Sequence, residues 1–425
     1  MMQVIKYPDE SEKLDSILNK RNFKFELEVE KKVEEIIRNV EKEGDAALYR
    51  YTEKFDGAKL DSLCVSEEEF NSAYKLIEEG FLDILKKASD NIESFHQKQL
   101  EKNWFTVDEG NILGQLINPL KRVGAYIPGG RAAYPSSVLM NVIPAKVAGV
   151  KEIVAVTPAD ENGKINPHNL VALKESGVEE VYKIGGAQAV AALAMGTETI
   201  KAVNKIVGPG NIYVTIAKKK VYGYVDIDML AGPSEILILA DENAEMDYIV
   251  SDLLSQAEHD PRAIVSLITT SKKHIEMIPE ILDEKEKNNS AKLAIKNNAL
   301  IIEVPSIKEG ISLANRFAPE HLELLINDPF AELGGIKNAG AIFIGKYSPE
   351  PLGDYMAGPN HVLPTGGTAV FSSPLTVDEF IKKSSIIYYQ KDNLNKIKDD
   401  IISFAKIEGL NAHAEAIASR FKENK

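Results

Sequence analysis

Two α/β units with mostly parallel sheets are what the sequence predicts, and two observations carry that prediction. From about Arg122 short β-branched runs alternate with helical patterns, and the alternation starts afresh at Glu235. Strands separated by helix-length segments imply crossover connections and hence parallel pairing. A chain of 425 residues also has room for roughly two to four domains.

Residues 1–22 read as a polar arm and 26–101 as charged amphipathic helices, one opened by a capping box at Ser66 and Glu69. The first alternating series runs VGAYI, a helix near 136–149, EIVAV, a helix near 167–176, VYKI and GGAQAVAALA. It continues through KIVG, the turn at Gly208–Asn211, a helix to about Tyr222 and a strand near Val225. The second begins with ILILA and passes through a helix ending in SQAEHD, AIVSLIT, a helix from Ser271, ALIIEV, a helix through Asn315, and AIFIG. From about Asp378 the chain is charged and helix-like, and no solenoid repeat or low-complexity tract interrupts it.

A net charge of −14, without a basic stripe to offset it, opposes binding to nucleic acid. Cys64 is the single cysteine, so neither an internal disulfide nor a multi-cysteine zinc site can form, and any zinc must take N and O ligands. The first residues turn acidic without a signal-like apolar stretch, and runs such as Ile236–Ala240 fall far short of the ~20 residues that span a bilayer. A cytoplasmic protein without membrane segments is expected.

Glycine turns follow strands at YIPGGR (126–131), IGGAQA (184–189) and VGPGN (207–211). Each can aim backbone N–H groups at an anion, although none is the G-x-G-x-x-G dinucleotide fingerprint and each alone could be a structural turn. Three in one α/β unit, all at strand carboxyl ends, point to a nucleotide or other phosphate ligand.

Of seven histidines, His96, His168 and His274 lie in polar stretches and read as solvated. Gln256 and His259 stand three apart at a helix end and share a face, as half of a metal site or as a histidine favouring the helix dipole. Glu320 and His321 are adjacent in APEHLE, either as an acid and an imidazole converging in one cleft for proton transfer, or as an ordinary helix start after Pro319. Asp354 and His361 lie in the long Gly/Pro-rich segment 353–369, which reads as a site loop. Glu408 and His413 lie in the tail, where a solvated helix is the plain reading.

The blocks GAYIPGGRAAYPSS, KIGGAQAVAALA, GPGN, AGPSE, QAEHD, APEHLE, GDYMAGPNHVLPT and EGLNAHAEA, in that order, closely resemble those of the L-histidinol dehydrogenase family, over nearly the whole chain. The resemblance implies an aldehyde-dehydrogenase-like fold with two Rossmann-like α/β domains, both incomplete and without the fingerprint. It divides the chain into an arm at 1–22, a discontinuous zinc and catalytic domain at 23–124 and 236–377, an NAD-binding domain at 125–235, and a tail at 378–425 that completes the partner's site. It implies one Zn²⁺ per subunit held by Gln256, His259, Asp354 and His413, the last from the other subunit of a homodimer. Glu320 and His321 would be catalytic; Tyr126, Gln188 and Asn211 would contact NAD; and Ser234, His361 and Glu408, with the zinc ligands and His321, would contact substrate. The implied reaction is the four-electron oxidation of histidinol to histidine through the aldehyde with two NAD, closing histidine biosynthesis. A zinc hydrolase of a small amide or ester would use similar ligands but leaves the glycine turns without work, and a non-catalytic nucleotide-binding module leaves the acids and bases unused.

Overall fold

The computed structural model describes residues 2–21, 27–129, 133–286 and 289–422. In chain order the strands are β1 (Gln3–Lys6), β2 (Trp104–Asp108), β3 (Asn111–Pro119), β4 (Arg122–Tyr126), β5 (Glu152–Val156), β6 (Glu180–Tyr182), β7 (Lys205–Val207), β8 (Asp226–Ile227), β9 (Glu235–Ala240), β10 (Ile264–Thr269), β11 (Ala299–Glu303), β12 (His321–Leu325), β13 (Ala341–Ile344) and β14 (Ile381–Tyr388). Residues 1–99 and 120–380 form one compact unit, and residues 100–119 and 381–425 form another. Among the described residues no helix is long and apolar enough to cross a membrane.

The larger unit holds two all-parallel sheets with the same winding. One has the order β6-β5-β4-β7-β8, and the other β1-β11-β10-β9-β12-β13. In each, the first strand of the series lies centrally, the next two step out on one side and the last two on the other. This is the doubly wound arrangement, with crevices between β4 and β7 and between β9 and β12. The central strands β4, β9 and β12 are buried along their whole length, as strands covered on both faces must be.

Two boundaries differ from the sequence reading. The arm is part of the second sheet: β1 pairs with β11, and Ile5 and the helix residue Leu14 are fully buried. Four residues at a sheet edge are too few to show a period, and their pairing partner lies some three hundred positions away. The helices between 27 and 97, grouped by sequence with the later α/β series, instead bury their apolar faces on the five-stranded sheet. Val33, Val40 and Leu48 pack with Val154 and Val190, while Phe70, Leu85 and Ile92 pack with Val123 and Leu139. The capping box forms as expected, with Ser66 N–H donating to Glu69 Oε2 at 2.8 Å and Glu69 N–H to Ser66 Oγ at 3.2 Å.

The smaller unit contains a sheet that the sequence reading left unassigned. β2 and β3 form a hairpin through Glu109 and Gly110, both at positive φ, and β14 pairs antiparallel with β3. Two central residues at positive φ match the twist of a two-residue hairpin. The α-helices Lys391–Ile407 and Asn411–Ala418 follow β14 in the tail.

A buried ion pair fixes the five-stranded sheet's carboxyl edge. Lys218 Nζ donates to Asp228 and, at 3.0 Å, to the carbonyl of Gly208, whose own N–H donates to Asp228 Oδ2 at 2.7 Å. Removing one member strands a charge without water. Lys218→Met is therefore expected to lower unfolding free energy by about 3–5 kcal/mol in urea titration; a loss below about 1 kcal/mol, the range of exposed pairs, would show that the pair is not buried in solution.

Candidate active site

The crevice between β4 and β7 gathers the glycine turns. Tyr126 ends β4, fully buried, and its hydroxyl accepts the Gly186 N–H at 3.0 Å, which ties the first turn to the second. Gly208 has φ +108, and a Cβ there would stand 2.1 Å from the Tyr126 carbonyl oxygen, so only glycine lets the third turn close against the first. Gln188 is buried with Oε1 unpartnered. Asn211 caps the helix Ile212–Val221, accepting from Tyr213 N–H at 3.0 Å and Val214 N–H at 3.2 Å. The sequence-predicted nucleotide contacts thus come from adjoining turns, except that Gly130 and Arg131 of the first turn lie outside the described residues.

The proposed acid and base meet between β9 and β12, at the amino rather than the carboxyl ends of the strands. Glu320 is at a bend and His321 opens β12, so the helix-start reading after Pro319 does not hold. Both are buried, and both are held by the main chain of Glu235. Its N–H donates to Glu320 Oε2 at 2.7 Å, and its carbonyl lies 2.9 Å from His321 Nδ1. A carbonyl can only accept, so Nδ1 carries the ring proton and Nε2 is left with its lone pair. Burial pushes the His321 imidazole down to about 4, with the Asp354 charge opposing. Burial also pushes the Glu320 carboxyl well above its ordinary range, against the Glu235 hydrogen bond.

His321 Nε2 is 3.9 Å from Glu350 Oε1, and this leads into a cradle of donors. One ligand atom each from His259, Glu350 and Asp354 lie within 4.8 Å of one another. Gln256, on the same helix as Asp252 and just ahead of His259, is buried with its amide oxygen unpartnered, and Glu350 Oε1 is likewise unpartnered. Imidazole, carboxylate and amide oxygens with open valences fit a borderline dication such as zinc. Burial raises the Asp354 carboxyl, but His361 with its hydrogen bond, then His321 and His259, outweigh this and hold it below the usual range. His361 Nδ1 is 3.2 Å from the Asp354 carbonyl, and its Nε2 is 3.3 Å from Ser137 Oγ. Ser234 is half-buried immediately before β9. Glu408 and His413 belong to the smaller unit, both exposed, at the end of one tail helix and within the next.

Glu350 was missed from sequence, because a glutamate beside proline in a first helical turn is an ordinary exposed feature. Glu323, two residues along β12 from His321, was missed too. It is buried, accepts the Glu350 N–H at 2.7 Å, and its carboxyl is pushed upward by burial and by Asp252. Conversely His96 and His274, read as solvated, are buried: His96 Nδ1 lies 2.7 Å from Gln99 Oε1 and His274 Nε2 lies 3.1 Å from the Ala244 carbonyl. Their polar sequence neighbours lie on other helix faces. His168 is partly exposed and pairs with Glu78 at 2.6 Å.

Comparison with known proteins bears on this arrangement. The chain is 54% identical over 404 residues to histidinol dehydrogenase of Bacillus cereus, covering 94% of each. It is 52% identical over 418 residues to that of Clostridium acetobutylicum, covering 97% of each. The crystal structure of histidinol dehydrogenase from Elizabethkingia anophelis superposes with a TM-score of 0.93 at 37% identity, covering 99% of this chain and 98% of that one. The family model described as histidinol dehydrogenase matches residues 19–421, and the chain belongs to the histidinol dehydrogenase family of oxidoreductases.

Proposed function

We propose that this chain oxidises L-histidinol to L-histidine by two successive hydride transfers to NAD in one site, as the closing steps of histidine biosynthesis. The observation that carries this reading is the buried His321, whose Nδ1–H is fixed on the Glu235 carbonyl while Nε2 faces the donor cradle and Glu320 stands beside it. The turns around β4 and β7 would hold NAD through Tyr126, Gln188 and Asn211, and the bound nicotinamide would supply the hydride acceptor. Gln256, His259, Asp354 and the partner subunit's His413 would hold one Zn²⁺ per subunit. Bound there, it supplies a positive charge that anchors the substrate's imidazole and amino groups.

His321 Nε2 takes the proton of the substrate hydroxyl as hydride leaves the carbinol carbon, and the C–O bond becomes C=O. The aldehyde stays in place, held with Ser234, His361 and the partner subunit's Glu408. Glu320 takes a proton from water as the water oxygen bonds to the aldehyde carbon, and the former carbonyl oxygen takes the proton that His321 Nε2 gained in the first step, which completes the hydrate. With its first proton released, His321 takes one from a hydrate hydroxyl as the second hydride leaves, giving the carboxylic acid. Carrying the aldehyde through both steps in one site keeps a reactive species out of solution.

A homodimer is supported by the smaller unit, which leaves Trp104, Phe105, Val107, Ile387, Phe404 and Ile407 exposed, the kind of apolar surface that interfaces cover. We assign the reaction to the cytoplasm, since a chain with one free cysteine gains nothing from an oxidising compartment.

Complete conversion of limiting histidinol with excess NAD tests the reading directly. Two NADH per histidinol are expected, lost on chelation and regained with zinc; no NADH from zinc-loaded protein would favour hydrolysis instead. Mixing inactive His259→Asn and His413→Asn subunits should restore activity, because one of the two sites in a mixed dimer then keeps both ligands. Mixed preparations that exchange subunits yet stay inactive would rule out a shared site.

The pH response follows from the two shifted groups. His321, lowered to about 4, is neutral well before neutrality, whereas Glu320, raised by burial, ionises only as pH climbs. Aldehyde oxidation should therefore rise toward the alkaline side. Glu320→Gln should lose about 10²- to 10⁴-fold in that step together with this alkaline rise. An unchanged profile in the variant would remove Glu320 from the role of base.

A further inference from the structure

We propose that Arg21, at the end of the segment read from sequence as a polar arm, is a positioning residue for Glu320 and His321; this rests on the function proposed above. Its guanidinium donates from Nη2 to Glu235 Oε2 at 2.6 Å and from Nε to Glu235 Oε1 at 3.2 Å, and both side chains are buried. From Nη1 it donates to the Phe317 carbonyl at 2.9 Å, and it lies 3.5 Å above the centre of the Phe317 ring. Glu235 and Phe317 flank the two catalytic groups. Glu235 supplies both main-chain contacts to Glu320 and His321, and Phe317 ends the helix Ile307–Phe317 three residues before Glu320.

Between Phe317 and Glu320 the chain reverses through Ala318, a non-glycine residue at φ +47. Such a conformation persists only when its surroundings hold it. Arg21 clamps the residue before that reversal to the residue that opens β9, across the crevice where the acid and base sit. A planar fork with five donors can satisfy a carboxylate side-on, reach a carbonyl and stack on a ring at once, and a lysine ammonium cannot. Gly366 N–H also reaches the Glu235 carboxylate, so Glu235 joins the arm, the crevice and the loop bearing His361.

Without Arg21 the buried Glu235 carboxylate loses its counter-charge and must move toward water or take a proton. Either outcome shifts the main chain that aligns Glu320 and His321, while the donors of the cradle are held by other elements.

The test is steady-state kinetics of Arg21→Ala and Arg21→Lys in the zinc-loaded dimer, with zinc content measured separately. Arg21→Ala should lose on the order of 10²-fold in kcat, the cost of misplacing reacting groups by about an ångström. Histidinol KM and bound zinc should stay within about twofold. Arg21→Lys should recover part of the rate, and added guanidinium ion should raise that of Arg21→Ala.

A folded, zinc-replete Arg21→Ala with kcat within about twofold of wild type overturns the proposal. So does a loss that appears only as raised KM or lost zinc and is not relieved by guanidinium. If the single variant does not fold, Arg21→Met with Glu235→Gln removes both charges together. That double variant should fold and remain slow, and full activity in it overturns the proposal. Retained turnover in His321→Asn would instead overturn the function reading and this inference with it, whereas loss there beside full rates in the Arg21 variants overturns the inference alone.

Discussion

Strands β9 and β12 run side by side in parallel, and at the amino end of that pairing Glu235 gives its N–H to Glu320 and its carbonyl to His321. Both contacts use main-chain atoms of the residue that opens a buried strand, so the alignment of the two groups depends on how that strand end is held. The carbonyl sets the imidazole tautomer, which in turn sets the atom that can accept a proton. Any side chain at 235 would supply those two main-chain groups. The buried glutamate adds the handle by which Arg21 of the arm is proposed to keep those groups in place.

The acids of the site differ in the sign of their shifts, and the causes divide cleanly. Glu320, Glu323 and Glu350 are pushed upward mainly by burial. Asp354 is also desolvated, but imidazoles on several sides hold it down. An acid that stays ionised in a dry setting, beside an imidazole and two unpartnered amide and carboxyl oxygens, suits a bound cation. An acid whose carboxyl burial pushes upward becomes, once ionised, a stronger base than a solvated carboxylate. One pocket can therefore hold acids of two characters because burial acts on all of them and counter-charge on one.

The parallel sheets and glycine turns were legible because their signals are local. Buried β-branched runs and helix periods are carried within a dozen residues, and Gly208 is required by a turn the sequence itself spells out. The hairpin at Glu109–Gly110 was also written locally, but the mixed polar and apolar composition of β2 and β3 obscured it. Glu350, Glu323 and Arg21 could not be read so. Their types and neighbours are those of surface residues, and only pairings across tens to hundreds of positions bury them. His96 and His274 show the same limit in the other direction, since burial belongs to a helix face rather than to a stretch of sequence.

The two sheets share one winding order, yet the residues proposed to act lie at opposite ends of their strands. Tyr126, Gln188 and Asn211 follow strand carboxyl ends, where doubly wound sheets ordinarily bind, whereas His321 stands at an amino end. Hydride transfer needs the two to face each other, and several contacts that join the halves involve the loop after Asp354. Asn360 Nδ2 donates to the Met140 carbonyl at 2.7 Å, His361 meets Ser137 at 3.3 Å, and Thr365 Oγ1 accepts the Gly232 N–H at 2.6 Å. Met140 and Ser137 lie on the helix that follows the first glycine turn, and Gly232 lies just before β9. The same loop thus bonds to the half that carries the glycine turns, to the entry of the half that carries His321, and to Asp354. A loop of this length without regular structure is explained by that geometry: joining a carboxyl edge to an amino edge requires a path that neither a helix nor a strand could follow.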